Sequence, residues 1–235
     1  MAYVDELTAD VNDIVKSNLE NRKGTVVPTT DSVTMTQSVT VDATYLFADL
    51  AGSSTAAAKL KKPVTAAIIR GFLRAASSII RKQGGEIRSY DGDRVMGIFM
   101  GDGKNSDAAK AGLQINWAVG NILRPALKAK WANIEDFYVL DHGVGIATGE
   151  SLIVKGGVHG NNDLASIGQA PNIAAKLSDR RSAYKTYITA EVYGKLNEKS
   201  KYGGDPKRDM WTALNNVTIG EKVISVYGST WSWKP

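Results

Sequence analysis

The chain contains no cysteine. That excludes a disulfide scaffold, a thiolate metal site and a cysteine nucleophile, and it fits a reducing compartment, so a cytoplasmic location is expected. Histidine is scarce, with two residues in 235. Any metal site must then be built mostly from carboxylates, which select hard cations such as magnesium or manganese. No apolar run approaches the roughly 18 to 20 residues of a membrane-spanning helix. The opening MAYVDELTADVNDIV carries acids where a signal peptide has lysines before an apolar stretch, so neither secretion nor a membrane span is expected. There is also no block of five like charges; 29 basic against 24 acidic residues leave a net charge of +5. This reads as a mildly basic solvated surface that also suits a polyphosphate substrate, and no nucleic-acid partner is expected. What is present, 43% apolar and 23% charged residues, is the profile of a globular protein.

No Pro/Gly/Ser-rich linker divides the chain after residue 40, so the expectation is an N-terminal helix and extended connector over 1–40 and one catalytic domain over 41–235. Val4, Leu7, Val11, Ile14, Val15 and Leu19 recur at helical spacing and predict a helix to about residue 23 that must pack on something. GTVVPTTDSVTMTQSVT reads as a connector or edge strand. TYLFADL is a strand ending at Asp49 and meeting the small-residue turn AGSS. Pro63 opens a helix with Val64, Ile68, Phe72, Ala76 and Ile80 at intervals of four, closed by Gly84 and Gly85. EIRSY and RVMGIFM flank DGD, a β-hairpin with Asp91 and Asp93 at its tip. Ser106 and Asp107 are expected to cap the next helix, which Pro125 disturbs. FYVLDHGVGIATGE and SLIVKG read as two strands joined by a turn at Gly149-Glu150, and Pro171 opens a third helix, QAPNIAAKLSDRR. TYITA, a short helix at EVYGKLNEK and VTIGEKVISVYG follow. The order βαββαββαβ predicts an α+β sandwich with a mostly antiparallel central sheet and flanking helices.

Asp49 and Asp93 stand at element ends with one helix between them, so the two strands that carry them are expected to be neighbours and the carboxylates to face one point. Paired carboxylates beside a small-residue loop suit two-metal chemistry, the acids holding ions while backbone N–H groups receive phosphates.

LFADLAGSS, SYDGDRVMGIF, HGVGIATGE and IGQAPNIAAKL occur in that order. Together they resemble the phosphate loop, metal hairpin, later strand and transition-state helix of the class III nucleotidyl cyclase catalytic domain, the adenylate and guanylate cyclase family, over residues 41–228. The resemblance implies a head-to-tail homodimer with sites at the two-fold interface. It implies two magnesium or manganese ions per site on Asp49 and Asp93, with the Leu50 carbonyl as a further ligand. Gly52, Ser53 and Ser54 are implied as triphosphate donors and Asn172 as the ribose contact. Lys176, four residues on and on the same helix face, stands where the family has its transition-state arginine. It keeps the charge and loses the planar fork; Arg180 is the alternative for that role.

The base-reading positions depart further. Ser89 and Ala165 stand where adenylate cyclases carry a Lys and an Asp or Thr, and they do not match the Glu and Cys of guanylate cyclases. A hydroxyl and a methyl do not reproduce those hydrogen bonds, so adenine preference is not expected. A chain with both metal acids and a rewritten base pocket resembles the pyrimidine cyclases of the Pycsar antiphage systems. That implies UTP as substrate, cyclic UMP as product, and a separate effector protein that binds the cyclic nucleotide. A cytidylate cyclase, an adenylate cyclase with unexpected base contacts, and a silent nucleotide-binding homologue are the alternatives. Asp91 is read as a turn residue, His142 and His159 as structural or surface residues, Tyr45 and Tyr90 as core or edge-strand residues, and Trp211, Trp231 and Trp233 as packing for the last sheet and tail.

Overall fold

The computed structural model describes residues 2–158 and 160–235, with residue 216 described by its backbone alone. His159 therefore lies outside the described residues.

The first helix, α1 (Tyr3–Lys16), has an apolar stripe yet buries no residue. It ends seven residues before the expected limit, and Glu20–Lys23 is instead a short strand, β1. β1 pairs in parallel with the start of β2 (Gln37–Ala51), which claims residues 37–40 of the expected connector. β2 also runs two residues past Asp49, so that acid sits inside the strand end and not at it.

Gly52, at φ +66, adopts the left-handed conformation that lets β2 break into α2 (Ser53–Lys59). Pro in the first turn starts α3 (Lys62–Lys82), whose Ile68, Phe72, Ala76 and Ile80 are fully buried at the predicted intervals of four. Each of the large ones contributes about 1.5–3 kcal/mol by leaving water. By length and composition alone α3 could cross a membrane; this buried stripe packs it as a core helix. β3 (Glu86–Asp91) and β4 (Arg94–Phe99) form the expected hairpin around Gly92 and Asp93.

α4 (Lys104–Ala118) starts two residues before Ser106, with Gly103 as its N-cap. Ser106 is buried inside the helix, where its hydroxyl accepts from the Asn197 N–H at 2.9 Å. A single π-helical turn, Val119–Leu123, passes without a break into α5 (Arg124–Lys130), so the helix widens just before Pro125, the disturbance expected there from the sequence. The expected turn at Gly149-Glu150 is absent: β5 (Asp141–Val158) is one continuous 18-residue strand, and its hairpin partner is β6 (Asn161–Ile167). Fourteen consecutive residues of β5 pair with β2, so the ladder carries straight through Gly149. α6 (Gln169–Ser178) begins two residues before Pro171. β7 (Thr186–Thr189) follows, then two separate helical turns, α7 (Ala190–Gly194) and α8 (Glu198–Lys201), in place of one short helix. A two-residue pair, β8 (Tyr202–Gly203) and β9 (Arg208–Asp209), precedes the hairpin of β10 (Thr212–Ile219) and β11 (Lys222–Ser229).

The central sheet runs β10-β11-β7-β5-β2-β4-β3, with β1 added to β2 and β6 to β5. Among the described residues only the β1–β2 and β5–β7 pairings are parallel. α3 and α4 cover one face over the main core, and α6 covers the other over two smaller clusters, which makes the α+β sandwich expected from the sequence. The Asp49-bearing strand lies directly beside the β3–β4 hairpin, as expected, although two helices, α2 and α3, and not one connect them.

Candidate active site

Asp49 is 7% exposed and pairs across β4 with Arg94 and across β5 with Gly143. Its carboxylate accepts from two guanidinium groups: Arg94 Nε is 3.2 Å from Oδ1 and Arg181 Nη2 is 2.5 Å from Oδ2. Arg94 also donates to Asp179, just beyond the C-terminus of α6. Burial nonetheless pushes the Asp49 carboxyl above the ordinary carboxylate range; the two arginines oppose that shift and Asp93 adds to it. Asp93, in the turn after Gly92 at φ +59, thus acts on Asp49 as a like charge. Asp91 is the last residue of β3, exposed and opposite Arg94 in the ladder.

Tyr138 closes this end of the sheet. Its hydroxyl donates to the Ala51 carbonyl at 2.6 Å, and the ring lies beside Gly52. Burial, with smaller pushes from the Asp93, Asp141 and Asp49 carboxylates opposed by Arg181, drives its phenol up to about 12. Asp141 is held below the usual range, against burial, by Lys185 Nζ at 2.8 Å and by the His142 N–H. His142 is 2% exposed near the Phe72 ring, both its ring nitrogens lack partners, and burial drives it down to about 3. It is a neutral core residue, as read from the sequence.

Asn172 and Lys176 line a second groove of about 470 Å³ with Gly220, Glu221 and Lys222 of the β10–β11 turn. Lys176 Nζ lies so close to Gly220 that a Cβ there would be 2.6 Å away. Neither Asp49 nor Asp93 lines this groove. Arg180 turns away from it, its guanidinium 5.6 Å from the Tyr187 ring centroid. α6 itself lies on bare backbone: a Cβ on Gly145 would stand 2.1 Å from the Ala174 carbonyl oxygen, and one on Gly143 2.3 Å from that of Ser178.

Ser89 is half-buried, its hydroxyl 3.7 Å from the Met96 sulfur, and Ala165 is exposed on β6, opposite Val154. Arg88 holds the two segments against each other by donating to the Leu164 carbonyl at 2.9 Å and to Asp163. Its Nε is buried without a partner. Tyr45 is fully buried in the second core cluster, and Tyr90 is exposed with its hydroxyl 3.1 Å from Ser77. The sequence reading missed Arg88, Arg94, Tyr138 and Arg181. Arg94 directly follows a predicted metal acid on a predicted strand, so its pairing with Asp49 was legible from the hairpin register; Arg181 ends the QAPNIAAKLSDRR segment, with no spacing rule to distinguish it from Arg180.

Proteins named uridylate cyclase match this chain from end to end. The one from Rhodovulum sp. (strain MB263) is 40% identical over 238 residues, covering 100% of this chain and 99% of the relative. That from Burkholderia cepacia is 40% identical over 236 residues, covering 99% of each. The chain belongs to the uridylate cyclase family. A third member, from Xanthomonas perforans, is 37% identical over 239 residues, covering 100% of this chain and 99% of its own. Family models give no match. Among solved structures, the adenylyl cyclase CyaB from P. aeruginosa shares the fold at a TM-score of 0.69, with 20% identity over 84% of this chain and 97% of that one. The guanylyl cyclase Cya2 does so at 0.66, with 15% identity over 83% and 95%. The uridylate cyclase family thus carries its nucleotidyl cyclase chemistry on the class III fold.

Proposed function

We propose that this chain converts UTP to 3′,5′-cyclic UMP and pyrophosphate. The observation that carries this is the full-length identity of 37–40% to three proteins named uridylate cyclase. The local chemistry agrees: Ser89 and Ala165 lack the groups that read adenine.

In this reading Asp49 and Asp93 hold magnesium or manganese, with the Leu50 carbonyl as a further ligand. The donor set fits in kind: two carboxylates and a backbone carbonyl are hard oxygen donors, and Asp93 acts on Asp49 as a like charge. That is the pattern for hard ions completed by substrate phosphates. Such ions, when bound, polarise the phosphates and favour loss of the 3′-hydroxyl proton. Arg94 and Arg181 hold the Asp49 carboxylate in place and must move off it to admit a cation. Gly52, Ser53 and Ser54 donate to the triphosphate. Asn172 orients the ribose so that its 3′-oxygen lies in line with the α-phosphorus. The bond from that oxygen to phosphorus forms as the bond to the bridging oxygen of pyrophosphate breaks, and Lys176 neutralises the charge that develops.

Because the Asn172–Lys176 groove contains neither acid, we assign the complete site to two copies, each supplying the acids of one site and the α6 groups of the other. Residues 41–235 then form the catalytic domain. Resemblance to the Pycsar cyclases supports a cytoplasmic enzyme of antiphage defence whose product is read by a separate effector. The test is product mass after incubation with manganese and ATP, GTP, CTP or UTP separately. Cyclic UMP from UTP is expected; cyclic CMP or cyclic AMP as the main product replaces the substrate assignment, and no product from any of the four favours a silent nucleotide-binding homologue.

A further inference from the structure

The corner opposite this chemistry, where α8, β8, β9 and the C-terminal tail meet, is crowded with aromatic rings and cations. A cleft of about 520 Å³ there is lined by the rings of Tyr202, Trp231 and Trp233 and by the charged side chains of Lys199, Lys207, Lys234 and Glu198. Glycine makes the cleft possible: Gly204, at φ +81, lets the Trp231 ring lie on the backbone, and a Cβ there would stand 3.1 Å from it. Trp231 and Trp233 are only half-buried, and the three lysines are exposed. Cations already sit over the ring faces, with the Arg208 guanidinium 5.1 Å from the Trp231 centroid, Lys207 Nζ 5.5 Å from Tyr202 and Lys110 Nζ 5.8 Å from Trp233.

Among the described residues only one of the three cleft lysines has a carboxylate partner, Lys207 with Glu198 at 2.9 Å. The tail is tied to the core from behind: Asn116 donates to the Trp231 carbonyl at 2.9 Å and the Trp233 N–H to the Leu113 carbonyl at 3.1 Å. The rings are therefore held on a fixed platform. Half-buried indole and phenol rings beside the ammonium groups of Lys199 and Lys234, which have no carboxylate partner among the described residues, are the two contacts that an unpaired base and its phosphate make.

We propose that this cleft binds single-stranded nucleic acid, with bases stacked against Trp231, Trp233 and Tyr202 and phosphates on Lys199, Lys207 and Lys234. The mild overall charge gave no sign of such a partner; the local pairing of cations with half-buried rings does. An acidic peptide would use the lysines and leave the rings idle. A duplex would keep its bases stacked on each other and out of the cleft.

Fluorescence anisotropy of a labelled oligouridylate of about 12 nucleotides, with the full-length protein at about 50 and 200 mM salt, tests this. Binding is expected at the lower salt and weaker binding at the higher. Lys199→Glu/Lys234→Glu, a change of two exposed side chains, is expected to weaken binding at least tenfold and to flatten the salt dependence, with cyclic nucleotide synthesis unchanged. Trp231→Phe, which keeps a ring, is expected to retain more binding than Trp231→Ala. The proposal is overturned by absence of binding at low salt, by equal affinity for the same sequence in a duplex, by equal displacement with UMP or polyglutamate, or by a lysine double variant that binds like the parent.

Discussion

Arg181 Nη2 lies 2.5 Å from Asp49 Oδ2, while Arg181 Nη1 donates to the Ser178 carbonyl at the C-terminus of α6. One guanidinium therefore fastens the helix that carries Asn172 and Lys176 to the buried acid of the same chain. Arg181→Ala leaves Asp49 with Arg94 alone and is expected to cost about 1–3 kcal/mol of stability, read as a lower Tm. If Asp49 takes a cation, millimolar manganese should restore much of that loss in Arg181→Ala; a deficit that metal does not touch separates the acid from metal binding.

Asp49→Asn and Asp93→Asn each keep shape and remove one anionic donor. Turnover should fall by roughly two to three orders of magnitude while the circular dichroism spectrum is unchanged. Asp91→Asn, at the exposed end of β3, should stay within a few-fold of the parent and serves as the control for the hairpin. Equal losses at positions 91 and 93 would mean that the turn, and not the carboxylate, is what matters.

Lys176→Arg should retain cyclase activity within about tenfold, whereas Lys176→Ala should lower kcat by roughly a hundredfold, in line with the loss of one charge-stabilising donor. Arg180→Ala removes a guanidinium that lies over Tyr187 and not in the Asn172 groove. Its effect should appear in thermal stability, with kcat close to the parent value.

His142 supplies a pH dependence of stability. Its folded pKa, about 3, lies below the ordinary 6.5, so between those values the unfolded chain binds a proton that the folded chain refuses. The stabilising contribution is complete above pH 6.5 and is lost as pH falls, by about 1.4 kcal/mol per pH unit at most. Denaturant titrations between pH 7 and pH 5 should show that slope, and His142→Phe, where a ring still packs near Phe72, should flatten it.

Removal of α1 should leave the Tm of the remaining chain within about 1 °C, because the helix buries no side chain in the described fold. A larger drop would mean that its apolar stripe is covered in solution.

The sequence made the alternation of elements legible because the signals were local. Pro63 and the fourfold spacing to Ile80 specified α3, and the DGD turn specified the hairpin beside Asp49. The errors have one physical source. Gly149 and Ser106 carry strong turn and cap propensities, yet Gly149 continues a fourteen-residue ladder and Ser106 sits buried in the first turn of α4, held by the Asn197 N–H, so tertiary pairing overrode local preference. The apolar stripe of α1 was legible as a helix, but periodicity says nothing about whether a covering surface exists. For the proposed site, motif order in the sequence singled out Asp49, Asp93, Asn172 and Lys176 as candidates. Arg88 and Arg181 were not, because their partners lie 75 and 132 positions away in the chain.

The bare contact between α6 and β5 has a consequence for how such an enzyme changes over evolutionary time. Gly143 and Gly145 leave no room for even a methyl group, so drift at those sites would push the reactive helix off its seat. Ser89 and Ala165 sit on the β3 and β6 segments that Arg88 ties together, away from that contact. The fold therefore separates a seat under α6 that tolerates no added side chain from the β3 and β6 surface, where, if the proposed roles hold, the base-reading positions could be exchanged without disturbing that seat.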